Sequence, residues 1–124
     1  LDWTFIDPAQ EAEGHQRKSA VIATITTYPL PKPTTPDEAR RMFLSTAPRY
    51  RDVPGLLRKY YYLSNDGNTL GGVYLWNSRA EAEAMFDDNW RTTMRDKYKI
   101  NPSVVHFDCP VAVDNLSGKI LSDE

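Results

Sequence analysis

The chain has 124 residues, a formal net charge of −2, 40% apolar and 26% charged residues, and a single cysteine, Cys109. That length holds one domain with one core, and the charge argues against a nucleic-acid binder, which would carry a basic face. One thiol excludes an intrachain disulfide and any cysteine-built metal cage, so Cys109 reads as a small core residue; no run reaches the length of a membrane span, and the expected location is cytoplasmic.

Residues 1–19 are polar and aperiodic, with Trp3, Phe5 and Ile6 as the only anchors; they read as an N-terminal arm. The segment "AVIATITTY", Ala20 to Tyr28, is rich in β-branched residues and reads as a strand buried on at least one face. "YPLPKPTTP" follows as a loop, because four prolines in nine residues sustain neither a ladder nor a helix interior. Thr35 as cap, Pro36 at the first helical position and Glu38 three residues after the cap start a helix. Its stripe is Ala39, Met42, Phe43, Ala47 and Tyr50, and Pro48 ends or kinks it. Leu56 to Ser64 and Thr69 to Trp76 then form a hairpin around the turn signal "NDGN".

Ser78 and Glu81 make a second capping box before an apolar stripe of Ala82, Met85, Phe86, Trp90 and Met94, which predicts one continuous second helix. Val104 to Cys109 is the last strand of the domain. "PVAVDN" either adds a short strand or lies across a partner, and residues 114–124 read as a polar C-terminal tail. The domain therefore spans residues 20–113. Strand, helix, strand, strand, helix, strand is the ferredoxin-like split β-α-β-β-α-β arrangement of an α+β domain, with one antiparallel sheet and both helices on one face. The other face, carrying Val73, Leu75, Val105 and Phe107, would be an exposed apolar patch, and a second subunit is expected to cover it.

The stretch "PGLLRKYYYLSNDGNTLGGVYLWNSRAEAEAMF", continued by "VVHFDCP", resembles the dimeric α+β barrel superfamily, in particular the small monooxygenase-like proteins of the YdhR type and the antibiotic-biosynthesis monooxygenases. The similarity rests on Pro54-Gly55 opening the second strand, Gly71-Gly72 before an aromatic strand, an Ala/Glu-rich second helix, and Phe107-Asp108 in the last strand. It spans roughly residues 20–113, and its motifs specify fold more than chemistry. The resemblance implies a homodimer packed through its sheet faces and a pocket between each sheet and its helices. It also implies, for several members, oxidation or cyclisation of aromatic polyketides with neither metal nor flavin, hence no cofactor.

Within such a pocket, Gly72 would leave a depression beside Tyr74, and Tyr74, Trp76, Phe86 and Trp90 would hold a small aromatic molecule. For any single ring, packing in the core is the commoner role. His106 is the one proton carrier near neutrality on the last strand, and Asp108 shares its face. Same-face neighbours lie about 7 Å apart, so a His-Asp couple needs side chains that lean together or share water. A structural histidine and a carboxylate serving loop donors are equally open readings. His15 lies in the arm, and two histidines so separated make no metal-ligand spacing. Arg58, with Lys59 on the opposite face, reads first as solvated edge charge, and Arg91 as an intrahelical partner of Asp87. The functional expectation is a cofactor-free monooxygenase of a small aromatic or polyketide-like molecule, with catalytic His106 and Asp108. The alternatives are a cyclase or isomerase on the same base, and a non-catalytic, stress-associated ligand-binding dimer.

Overall fold

Thr35 begins the first helix as expected: its hydroxyl accepts the Glu38 N–H at 3.2 Å, with Pro36 at the first helical position. In the computed structural model, which describes residues 21–122, the elements run β1 (Val21–Pro29), α1 (Pro36–Thr46), a 3₁₀ turn (Ala47–Tyr50), β2 (Leu56–Leu63) and β3 (Thr69–Trp76). They continue with α2 (Arg79–Met85), α3 (Asp88–Tyr98), β4 (Ser103–Cys109), β5 (Val111–Asp114) and β6 (Lys119–Ser122). The arm expected over residues 1–19 lies outside the described residues. No helix among the described residues is long and apolar enough to cross a membrane.

The four long strands form one antiparallel sheet in the order β2-β3-β1-β4, the split β-α-β arrangement expected from the element pattern. The β-branched β1 takes a central place, where both its edges are paired. The hairpin turn is closed by Asp66, whose carboxylate accepts from Asn68 N–H at 2.9 Å and Ser64 Oγ at 2.7 Å, with Gly67 at φ +76°.

Three local features differ from the sequence reading. The second helix is two helices, because the Asp87 carboxylate accepts the Trp90 N–H at 2.9 Å and caps a new helix while Phe86 leaves helical geometry. Strand β2 carries a bulge between Leu56 and Arg58, so Leu56 faces Trp76 but Lys59, three residues on, faces Tyr74. The C-terminal stretch read as a tail pairs instead: β6 returns on β5, Val111 opposite Ser122 and Asp114 opposite Lys119.

The helices cover the face that carries Ile22, Tyr74 and Trp76, which with Ala82 and Phe86 make the buried core. The opposite face leaves Ile25 36%, Tyr60 53%, Val105 43% and Phe107 46% exposed, a contiguous apolar set on the alternate residues of β1, β2 and β4.

Tyr62 on that face crosses its partner Gly71 and donates its hydroxyl to the Thr26 carbonyl at 2.8 Å. A Cβ at Gly71 would collide with the Thr26 carbonyl and the Tyr62 hydroxyl. Gly71→Ala is therefore expected to lower the stability of the fold by about 1–3 kcal/mol, read from urea unfolding, through overpacking at the β1–β3 pair.

Candidate functional site

Register places four residues in one row across the helix-covered face: Lys59 on β2 opposite Tyr74 on β3, Tyr74 opposite Thr24 on β1, and Thr24 opposite His106 on β4. One end of the row carries an imidazole and the other an amine.

At the β4 end, Thr24 is fully buried and its hydroxyl serves two rings. Trp76 Nε1–H donates to Thr24 Oγ1 at 3.0 Å, and His106 Nδ1 lies 2.8 Å from the same oxygen. A hydroxyl has two lone pairs, so it can accept from the indole and from a protonated Nδ1 together. Burial first, then the positive charges of Arg79 and Arg91, hold the His106 imidazolium below its ordinary pKa, with Glu83 pulling the other way. The ring is therefore neutral at pH 7 and remains partly exposed.

Phe86 lies against this histidine, 6.1 Å from it between ring centroids. It also meets Tyr74 at 5.1 Å, Trp76 at 6.3 Å and Trp90 at 5.0 Å, all edge to face. Of the rings expected around a ligand, Trp76 and Tyr74 are 0% and 2% exposed and stack on each other, whereas Trp90 keeps part of its surface open. The helix break at Asp87 brings Trp90 and His106 to the same ring of Phe86.

Two expected site residues are placed elsewhere. Asp108 is not coupled to His106: its carboxylate pairs with Arg79 Nη2 at 2.8 Å, and both side chains are exposed. Gly72 faces Lys59 and Tyr74, because a Cβ there would stand 2.9 Å from Tyr74 Cε1 and 3.2 Å from Lys59 Cε. The space it leaves is filled by those two side chains. Thr24, which anchors the histidine, escaped the sequence reading. Its position opposite His106 is a consequence of register, and a threonine in a β-branched strand carries no local mark of its partner. A separate groove of about 320 Å³ lies between α1 and β2, lined by Ala39, Phe43, Leu44, Tyr61 and Leu63 among others.

No family model and no curated protein matches the sequence. Solved structures do match the fold. A monooxygenase from the gene ActVA-Orf6 of Streptomyces coelicolor, solved with nanaomycin D, superposes with a TM-score of 0.57 at 20% identity over 77% of this chain and 93% of its own. The chain shares the fold of that protein. SnoaB, a cofactor-independent oxygenase from Streptomyces nogalater, superposes with a TM-score of 0.54 at 13% identity over 77% of this chain and 99% of its own. A Nitrosomonas europaea protein of unknown function has the same TM-score, 0.54, at 13% identity over 77% of this chain and 95% of its own.

The Thr24 hydroxyl is the joint on which the buried Trp76 indole and the part-buried His106 imidazole depend. Thr24→Val keeps the side-chain shape and leaves Trp76 Nε1–H and His106 Nδ1 without their common partner. It is expected to cost about 1–3 kcal/mol in urea unfolding, a loss larger than that from Thr27→Val on the other face.

Proposed function

We propose that this protein is a cofactor-independent monooxygenase acting on a small aromatic, polyketide-like molecule, with His106 as general base. The observation that carries the reading is the neutral imidazole anchored through Thr24 at the open margin of the Phe86 ring cluster. The ActVA-Orf6 monooxygenase and the cofactor-independent oxygenase SnoaB, which share the fold, support it.

The chemistry asks little else of the protein. With Nδ1–H donated to Thr24, Nε2 carries the lone pair that removes a proton from the hydroxyl or activated C–H of the substrate. Once protonated, the ring keeps the same Nδ1–H bond to Thr24, so gain and loss of the proton require no rotation. The substrate carbanion then adds molecular oxygen and a proton to give a hydroperoxide; loss of the second proton from the same carbon breaks the O–O bond, leaving one oxygen as the product carbonyl and releasing the other as water. Phe86 packs against both the base and the Trp90 ring, which is the part-open aromatic surface of the cluster. Arg79 and Arg91 add positive potential near the developing anion. Asp108 is assigned no part in proton transfer, its carboxylate being paired with Arg79 at 2.8 Å.

The test is oxygen uptake and product formation with a panel of hydroxylated anthrones and quinols. His106→Ala is expected to lower turnover by about 100-fold to 10,000-fold while binding changes far less. Asp108→Asn is expected to leave turnover close to wild type. Activity should fall on the acid side with a midpoint below the ordinary 6.5 of a histidine, because protonation removes the base. Wild-type turnover in His106→Ala overturns the assignment of the base. Conversion of a panel member without oxygen uptake overturns the oxygenase reading in favour of a cyclase or isomerase.

The open sheet face supports a homodimer. Ile25, Tyr60, Val105 and Phe107 are large, exposed and adjacent on it, with Val73 and Leu75 between them. A second copy packed face to face would remove this surface from water, worth roughly 25 cal/mol per Å² of apolar area. Equilibrium sedimentation should show a dimer at micromolar concentration. Phe107→Asp should shift it to monomer while leaving the helix-covered core, and hence the circular dichroism spectrum, unchanged.

A further inference from the structure

We propose that Lys59 is a nucleophilic amine that captures a small aldehyde or ketone as an imine, at a second site three strands away from His106. The proposal rests on how the fold encloses this side chain. The bulge in β2 turns Lys59, rather than Arg58, onto the helix-covered face, and bulges commonly re-aim a side chain next to a site in this way. Gly72 lets the lysine stem lie flat against β3. The amine ends among three phenol rings drawn from three elements: Nζ is 3.4 Å from the Tyr50 ring centroid, 3.9 Å from that of Tyr61 and 4.7 Å from that of Tyr74. Tyr50 comes from the 3₁₀ turn, Tyr61 from β2 itself and Tyr74 from β3. Lys59 makes no ion pair with a carboxylate among the described residues.

An ammonium in such a place loses water without gaining a counter-ion. Burial pulls the Lys59 ammonium down to about 7, against an ordinary value of 10.5. The faces of the three rings attract a cation and work in the opposite direction, but they offer no full negative charge. The charged groups nearby do not reverse this. Tyr74 is pushed well up by its own burial and Tyr61 is also raised, so both stay neutral phenols, and Arg49 beside Tyr50 adds positive charge near Tyr61. A large fraction of the amine is thus neutral at pH 7, whereas an exposed lysine is almost wholly protonated. Desolvation in an apolar setting is a recognised means of making lysine a nucleophile toward carbonyl compounds.

The step balances with no further reagent. The Nζ lone pair forms a C–N bond to the carbonyl carbon, the C=O π electrons move to oxygen, and a proton passes from nitrogen to oxygen to give a carbinolamine. With a proton taken up from solvent on the hydroxyl, loss of water breaks the C–O bond and leaves a protonated imine. Lys59 is partly exposed, and the phenol walls favour a carbonyl on a small apolar or flat group. Three inter-strand spacings of about 4.8 Å separate the Lys59 and His106 backbones, roughly 14 Å, so this amine does not share one reacting centre with the imidazole.

The experiment is reductive trapping of the whole protein at pH 7 with sodium cyanoborohydride and either propanal or 4-hydroxybenzaldehyde, followed by peptide mass spectrometry. The exposed residues Lys32, Lys97, Lys99 and Lys119 in the same molecule are the internal reference. Lys59 is expected to be labelled at least about tenfold faster than any of them with one or both probes, its neutral fraction being far higher. Its labelling rate should rise with pH to a midpoint near 7. Lys59→Arg should abolish this product and leave labelling of the other four unchanged. If both probes label Lys59 no faster than the exposed lysines, or if its rate follows a midpoint near 10.5, the amine is only a structural guest of its tyrosine cage and the proposal fails.

Discussion

The insertion of the Phe86 ring under the helices is the contact on which the rest of this structure depends. It touches Tyr74 and Trp76 on the sheet, Trp90 on the next helix and His106 on the far strand. It can do so because the chain abandons helical geometry at that residue, Asp87 capping a second helix before the first would have carried Phe86 past the sheet. A continuous helix would have kept its apolar stripe on one straight line. The break gives two short helices whose axes need not agree, and one ring at the joint meets four others.

Beneath that ring the sheet works as a scaffold of rows. The row Lys59, Tyr74, Thr24, His106 runs across all four strands, with neutral rings and hydroxyls in its middle and an ionisable nitrogen at each end. Burial acts on both nitrogens in the same sense and favours the uncharged form. The imidazole keeps a hydroxyl anchor and partial exposure, which suits repeated gain and loss of a proton. The amine keeps only ring faces, which suits a lone pair held ready for bond formation. Tyr74 between them remains a protonated phenol, because burial pushes its hydroxyl well up.

The two sheet faces divide the tyrosines of the hairpin. Tyr61 and Tyr74 lie under the helices, where Tyr61 stacks on Phe43 at 4.6 Å and closes the Lys59 cage. Tyr60 and Tyr62 lie on the opposite face, Tyr60 exposed and Tyr62 bonded across Gly71 to β1. Alternation along a strand dictates such a division, and the concentration of rings in one hairpin serves both layers. The same alternation makes Ile25, Val105 and Phe107 neighbours on the open face.

Element type and order were written in local chemistry: the β-branched β1, the proline-led helix capped by Thr35, the Asn-Asp-Gly turn and the Ser78 cap each act within a few residues and need no tertiary context. The split β-α-β arrangement follows from that order. Asp87 as a second cap was also visible in principle, but a run of acidic residues near a helix start is equally suited to the helix dipole, and pattern alone did not separate the two. Only the tertiary structure decided which groups meet. Register, a long-range property, put Thr24 against His106, and the Arg79 guanidinium drew Asp108 away from its same-face neighbour. One extra residue in β2 reversed the sides of Arg58 and Lys59 with respect to Leu56, since side chains alternate with a period of two and a bulge shifts the phase. That phase is set by pairing with β3, and it decided which cation the domain encloses.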